Sequence, residues 1–220
     1  MNAKNGIRLA MVAVACVSSA HAQNFLFNPS FELPAVPNGS YVAFTAGQTI
    51  GVGWVVDSAV FAADVITAGY AGGGVTWTPP THGNQYLYVG DSAAASVLHQ
   101  DVALPGAGSY RLSLDLASFL SAFAPGAKVS VDILNLGNNS SVIGGAQDFT
   151  RASGIGYASQ TVDFIAQQAG NYRLILANAN RFGSNVDNFS LTAVPEPGSY
   201  AVLGGVGLLG FAAFRRFRKA

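Results

Sequence analysis

The feature that most constrains this chain is an alternation of apolar and polar residues that recurs in several short segments. The segment at 108–118 reads GSYRLSLDLAS. Its apolar residues are Tyr110, Leu112, Leu114 and Leu116, and the polar residues between them are Arg111, Ser113 and Asp115. Because successive side chains of a β-strand point to opposite faces, this segment predicts a strand with one buried face and one solvent face.

Three later segments repeat the alternation: AKVSVDILN at 127–135, YASQTVDFIA at 157–166 and GNYRLILANA at 170–179. Their predicted core-facing residues are Val129, Val131, Ile133, Val162, Phe164, Tyr172, Leu174 and Leu176. No sustained 3.6-residue period competes with this pattern, and Gly, Pro, Asn and Ser separate the segments. We therefore predict an all-β fold, an antiparallel β-sandwich, over residues 23–193.

A short sequence echo links two of these strands. The pattern G-x-Y-R-L-x-L occurs at 108–114 and again at 170–176. Two copies are too few for a solenoid, so the echo predicts two equivalent core strands of one sandwich.

The charged residues are unevenly distributed. Six of the eleven basic residues lie at the two ends of the chain, whereas all eleven acidic residues lie between Glu32 and Glu196. The acidic body argues against nucleic-acid binding, because phosphates are bound by clustered Lys and Arg. It suits cations such as calcium. Cys16 is the only cysteine, so the body has neither a disulfide nor a thiol nucleophile.

The N-terminus has the organisation of an export signal. Lys4 and Arg8 precede an apolar run, and Ala20-His21-Ala22 fits the A-x-A cleavage pattern. We predict a signal peptide at 1–22. In the alternative interpretation Cys16 carries a lipid anchor, but Ala13 stands where a larger aliphatic residue is usual.

The C-terminus combines an uncharged apolar segment with a basic cluster. About fifteen residues up to Phe214 span roughly 22 Å as a helix, less than a ~30 Å hydrocarbon core. Ser199 and a snorkelling Arg215 extend the segment, which predicts a transmembrane helix at about 199–214. A buried core helix is excluded, because four basic residues within 215–219 would have to enter the core. The cluster is expected to stay cytoplasmic, which leaves the body outside.

This ending resembles the PEP-CTERM sorting signal of Gram-negative bacteria over residues 194–220. The residues that carry the resemblance are Pro195, Glu196, Pro197, Arg215, Arg216 and Arg218. The resemblance implies processing by an exosortase, tethering to the inner membrane through the C-terminal helix before processing, and then residence at the cell surface or in an extracellular polysaccharide matrix.

The body carries a second resemblance. It opens with Asn28-Pro29-Ser30-Phe31-Glu32, continues through GWVV at 53–56 and HGNQYLYVGD at 82–91, and closes with NVDNFSL at 185–191. This order is similar to the galactose-binding-like jelly roll of many bacterial carbohydrate-binding modules and surface proteins. The resemblance implies that Glu32 and Asp187 lie side by side and hold a structural calcium, a cation that prefers six or more oxygen ligands. Alternatively, Glu32 caps a turn and Asp187 is a solvated acid.

Two tryptophans have different settings. Trp54 is interpreted as a core aromatic residue between the sheets. Trp77 lies between Gly72-Gly73-Gly74 and a Pro-Pro pair, which predicts a loop position. From such a loop it would stack on sugar rings, with Tyr70 and His82 beside it. The alternative, at least equally compatible with the sequence, is a loop tryptophan folded back onto the sandwich.

No catalytic motif emerges from the sequence: it contains neither G-x-S-x-G nor H-E-x-x-H. We predict a non-catalytic surface or matrix protein that binds extracellular polysaccharide. The alternatives are a purely structural biofilm-matrix protein and, with less support, a small secreted hydrolase.

Overall fold

Thirteen β-strands make up the regular structure of the computed structural model, which describes residues 23–59, 63–90, 96–120, 126–178 and 183–195. The strands are β1 (Tyr41–Phe44), β2 (Thr49–Ile50), β3 (Trp54–Ser58), β4 (Ala63–Thr67), β5 (Gln85–Val89), β6 (Val97–Leu104), β7 (Gly108–Ala117), β8 (Ala127–Asn135), β9 (Ser140–Ser141), β10 (Gln147–Arg151), β11 (Ala158–Ala166), β12 (Gly170–Asn178) and β13 (Ser184–Ala193). Within these ranges no helix is long and apolar enough to span a bilayer. The predicted signal peptide (1–22) and transmembrane segment (about 199–214) lie outside the described residues.

The strands form two antiparallel sheets. The six-stranded sheet has the order β1-β4-β5-β13-β7-β11, and the seven-stranded sheet has the order β10-β8-β12-β6-β3-β2 with β9 beside β8. From β5 to β8, and again from β10 to β13, each successive strand joins the opposite sheet, the alternation of a double-sheet jelly roll. The prediction of an all-β antiparallel sandwich is confirmed.

The core lies between the sheets and contains the residues that alternation predicted. All eight core residues predicted from the later segments, and the four predicted from 108–118, are at most 7% exposed and belong to one apolar cluster. Trp54 is fully buried in that cluster, which confirms its interpretation as a core aromatic residue.

The echoed sequence forms the same local structure in both sheets. Tyr110 on β7 donates its hydroxyl to the carbonyl of Gly106, and Tyr172 on β12 donates to that of Gln168, at 2.9 Å in each case. The following arginines make two-point ion pairs across the sheet, Arg111 with Asp163 and Arg173 with Asp101. The echo therefore marks equivalent strands in opposite sheets.

The N-terminal segment 24–36 contains no strand, and buried side-chain amides satisfy much of its backbone. Gln100 accepts the N–H of Phe27 at 2.7 Å and donates to its carbonyl at 3.0 Å. Gln85 accepts the N–H of Val36 and donates to the carbonyls of Phe31 and Pro34. Buried backbone polar groups must be paired, so these amides replace the missing strand ladder.

Phe31 fixes this segment to the core. Its ring is fully buried, with centroids 5.5 Å from Trp54 and 5.9 Å from Phe189. Its φ of 57° lies in the left-handed region, which disfavours a side chain by about 1–2 kcal/mol. Burial of the ring offsets this cost.

We expect Phe31→Ala to lower the free energy of unfolding by about 3–5 kcal/mol, because it empties a fully buried aromatic site. Alanine at position 31 has the same backbone strain as phenylalanine. The loss of unfolding free energy therefore measures the packing of the ring. The matched control is Phe27→Ala, whose ring is 58% exposed and whose change should be within about 0.5 kcal/mol. Urea denaturation of both variants measures the difference, and equal losses would contradict the assignment of Phe31 to the core.

Candidate functional site

The long connection between β4 and β5, residues 68–84, covers the outer face of the six-stranded sheet. Ile66 and Tyr86 alternate with core residues and so point outward, yet each is only 1% exposed. The connection is fastened at its middle: the carbonyl of Thr76 accepts the N–H of Leu120 at 3.0 Å, and Thr78 donates its hydroxyl to the carbonyl of Ser118 at 2.7 Å. The outer face is therefore partly a second, smaller packed layer.

Aromatic rings form a continuous group at this layer, which we call the aromatic cluster. Its members are Tyr41, Tyr70, Trp77, Tyr88 and Phe119. Neighbouring ring centroids are 5.3 Å apart for Tyr41–Tyr70, 5.2 Å for Tyr70–Trp77 and 4.8 Å for Trp77–Phe119. All three contacts are edge-to-face, the favoured geometry for such pairs. Tyr41 is 47% exposed, whereas Phe119 is buried, so the cluster runs from solvent to the sheet.

Trp77 occupies the centre of the cluster. It lies on the loop, as predicted, but is half-buried against the sheet rather than projecting from the loop. Its indole Nε1 donates to the carbonyl of Gly72 at 2.8 Å. The Tyr70 ring lies so close to Gly72 that a Cβ at this position would overlap the ring. The packing of Tyr70 therefore explains why a glycine occurs here.

A small cleft opens beside the cluster, with a volume of about 90 Å³. Its lining residues are Thr67, Ala68, Gly69, Tyr70, Trp77, Thr78, Pro79 and Tyr86. The hydroxyl of Tyr86 is buried without a hydrogen-bond partner, and burial, followed by the nearby Tyr70, raises its pKa well above the usual tyrosine range. This volume is far below the 300 Å³ or more of a pocket that encloses a whole small ligand.

Glu32 and Asp187 both bind the end of the same loop. Glu32 Oε1 accepts the N–H groups of Asn84 and Gln85 at 2.9 and 2.8 Å. Asp187 Oδ2 accepts the N–H groups of Thr81 and His82 at 2.8 and 3.0 Å. We call this arrangement the carboxylate clamp. The two segments that carry these residues do meet, since Phe189 donates its N–H to the carbonyl of Pro29 at 2.9 Å.

The donors around the clamp bear on the predicted calcium site. Calcium coordinates oxygen atoms, whereas N–H groups point their positive ends at Glu32 Oε1 and at both oxygens of Asp187. No group of three or more His, Cys, Asp or Glu side chains suited to a metal occurs within the described ranges. The arrangement favours loop capping by Glu32, and a calcium shared with Asp187 stays a prediction.

Asp187 is fully buried, so its alternative interpretation as a solvated acid is wrong. It lies directly opposite Asp115 in the β13–β7 ladder, and the hydroxyl of Thr81 lies 2.8 Å from Asp115 and 3.1 Å from Asp187. Burial raises the pKa of Asp187, an effect that the N–H donors of His82, Asn188 and Thr81 partly oppose.

The predicted ligand-binding residues are only partly brought together. Tyr70 flanks Trp77, but His82 is exposed and does not line the cleft. Sequence reasoning missed the other members of the cluster and Tyr86. The signal was present in QYLYV at 85–89, where Tyr86 and Tyr88 alternate with the core-facing Leu87.

Comparison with known proteins identifies the chain's end. Residues 193–219 match the PEP-CTERM protein-sorting motif, which confirms the prediction of a sorting signal. Such a motif implies export, transient anchoring at the membrane and processing by an exosortase. Its residues Glu196, Pro197, Arg215, Arg216 and Arg218 lie outside the described ranges.

The sandwich is similar to several solved carbohydrate-binding modules. TmCBM61, solved with β-1,4-galactotriose, is 17% identical, with a TM-score of 0.47 over 79% of this chain and 100% of its own. The CBM22-1 xylan-binding domain of Paenibacillus barcinonensis Xyn10C is 14% identical, with a TM-score of 0.46 over 74% and 99% of the two chains. A CBM4 module is 14% identical, with a TM-score of 0.44 over 76% of this chain and 99% of its own. No curated protein sequence matches the chain.

The raised pKa of Asp187 predicts a pH dependence of stability. The folded state holds this proton more tightly than the unfolded state, whose carboxyl has a pKa near 3.8. The contribution is fully present below that value and is lost as the pH rises through the folded pKa. Each tenfold difference in proton affinity is worth about 1.4 kcal/mol.

The Asp187→Asn side chain cannot titrate. The pH-dependent contributions of the other carboxyl groups to the free energy of unfolding therefore cancel when the two proteins are compared. We expect the unfolding free energy of the native chain minus that of Asp187→Asn to fall as the pH rises above 3.8. Urea titrations at several pH values measure this difference. A difference that rises with pH would show that the N–H donors outweigh burial.

Proposed function

We propose that this chain is an exported, non-catalytic protein of the cell surface or extracellular matrix that binds polysaccharide at the aromatic cluster and its cleft. The observation that carries the proposal is the continuous path of rings from the exposed Tyr41 through Tyr70 to Trp77, which ends beside a cleft that Tyr86 also lines.

The shape of this surface suits a polymer. The cleft is too small for a whole sugar ring to be enclosed, so it would accept one protruding group of a chain that lies across the rings. Aromatic rings supply large, rigid apolar area at low entropic cost, and their hydroxyls supply hydrogen bonds. Tyr41 and Tyr70 therefore extend the contact along the chain direction, and the cleft fixes its register.

The charges favour a neutral glycan. Three of the described basic side chains are paired with acids: Arg111 with Asp163, Lys128 with Asp148, and Arg173 with Asp101. Arg151 binds the carbonyl of Gly156. Within the described ranges none of these four side chains lines the cleft. Among the basic side chains that the structure describes, an anionic polymer would therefore meet no cation at the cleft.

The sorting motif supports the location. A protein processed by an exosortase leaves the inner membrane for the surface or matrix, where polysaccharide is abundant. Calcium bound at Glu32 and Asp187 remains part of this proposal as a structural aid to the loop and not as a ligand contact. Isothermal titration with calcium, repeated on Glu32→Ala, would detect it.

A purely structural matrix role is the alternative, in which the aromatic cluster serves only to pack the 68–84 connection onto the sheet. The half-burial of Trp77 is the observation that favours it. The two functions differ in what happens when the cluster is altered in a protein that stays folded.

We expect Trp77→Ala to weaken binding to a neutral polysaccharide by about tenfold or more, because the central ring of the platform is lost. The measurement is affinity electrophoresis or pull-down over a panel of neutral and anionic polysaccharides, with calcium and with chelator. Circular dichroism establishes that the variant is folded.

Phe27→Ala is the matched control, since Phe27 is an exposed aromatic residue beside Gln100 and outside the cleft lining. Its binding should be unchanged. A folded Trp77→Ala chain that binds as well as the native chain would remove the aromatic cluster as the binding site. Binding to no polymer at all would favour the structural role.

A further inference from the structure

The six-stranded sheet ends in a long edge strand. β11 spans nine residues, Ala158–Ala166, and pairs with β7 without interruption from Ala158↔Leu116 to Ala166↔Gly108. It is the last strand in the order of its sheet. In an antiparallel strand paired on one side only, alternate N–H and C=O groups point away from the sheet. In the described part of the chain, one hydrogen bond reaches the backbone of β11 from outside that ladder. The Gln160 side chain donates it to the carbonyl of Ser159.

The other sheet edges are short. β1 has four residues, β2 has two and β10 has five. Short edge strands are one of the ways in which proteins prevent edge-to-edge pairing. Among the edge strands that the structure describes, β11 alone is long enough to template a partner strand.

The usual protections are also missing from β11. The sequence ASQTVDFIA contains neither proline nor lysine, and its register with β7 contains no bulge. Its one charged residue, Asp163, is neutralised by the two-point pair with Arg111 at 2.6 and 2.7 Å. Ile165 is 59% exposed on the outer face. Such an edge is a predicted association site.

We propose that β11 pairs antiparallel with β11 of a second copy of this chain, joining two six-stranded sheets across a two-fold axis. A two-fold interface brings the same strand from both copies together. With the axis at Val162, Thr161 lies opposite Asp163 of the partner chain, and Ser159 lies opposite Ile165 of the partner chain. An axis at Asp163 would instead place two carboxylates directly opposite each other, which is destabilising.

A second copy is the occupant that the strand itself favours. Identical strands are complementary in length, and the Val162 register keeps the two carboxylates apart. The ribbon is small compared with a standard interface, so we expect a dissociation constant on the order of micromolar. A matrix to which many copies are sorted would supply such concentrations. This association does not depend on glycan binding, since no residue of β11 lines the cleft.

Paired cysteines test the register. Thr161→Cys and Asp163→Cys are prepared separately in the full chain, with Cys16, its one cysteine, changed to serine. In the proposed dimer these positions are directly opposite, whereas position 161 of one copy is diagonal to position 161 of the other and too far from it for a disulfide. We expect a cross-linked dimer when the two variants are mixed and oxidised, and at least tenfold less from either alone. Equal cross-linking in all three samples would overturn the proposal.

Sedimentation velocity tests the surface itself. Thr161→Lys places a charge on the outer side of β11, and Ala103→Lys is the matched control at an exposed position of β6, an interior strand of the other sheet. We expect the native chain and the control to dimerise, and Thr161→Lys to raise the dissociation constant at least tenfold. A monomer up to about 100 µM, or a dimer that Thr161→Lys leaves unchanged, would refute pairing through β11. Dimerisation that Thr161→Lys weakens, in a chain that binds no glycan, would support pairing through β11 and would contradict only the proposed function.

Discussion

The contact on which the rest of the structure depends is the one between Phe31 and the aromatic rings of Trp54 and Phe189. It joins the strandless N-terminal segment, a strand of one sheet and the last strand of the other. All three rings are at most 1% exposed, so the contact excludes water from this region. The backbone groups of the N-terminal segment that lie there must therefore be paired within the protein. The amides of Gln85 and Gln100 then complete the pairing.

This contact also positions the carboxylate clamp. Glu32 follows Phe31 directly, and Asp187 lies two residues before Phe189, so the packing of the two rings brings both carboxylates to the end of the 68–84 connection. The clamp binds backbone N–H groups, and a charged acceptor makes such bonds stronger than neutral ones. The N-terminal segment thus acts on the aromatic cluster through the loop, because Glu32 holds one end of the connection that carries Trp77.

Much of the sandwich was predictable because its strands are half-buried and alternate cleanly. The segments at 108–118 and 170–176 show this best, since Tyr and Leu at alternate positions of both lie in the core, whereas Ile175, between Leu174 and Leu176, does not. The N-terminal segment was not predictable in the same way, because Phe31 is buried by a tertiary contact and not by a strand period. Trp77 and Tyr70 were found from local sequence, whereas Tyr41 and Phe119 join them only through the pairing of distant strands. Similarly, the sequence allowed Asp187 to be a solvated acid, and its complete burial depends on the loop whose N–H groups it accepts.

Buried polar groups without hydrogen-bond partners lie on the outer face of the six-stranded sheet as well as at the indole Nε1 of Trp54 in the core. The hydroxyls of Tyr86 and Tyr157 and the amide of Asn185 are buried on the outer face without hydrogen-bond partners. Each such group costs about 1–3 kcal/mol, and folded proteins keep few of them. A glycan hydroxyl or ordered water that pairs with these groups would recover part of that cost, whereas an apolar ligand would not. If polysaccharide binds at this face as we propose, pairing with these groups would favour a hydroxyl-rich partner over an apolar one.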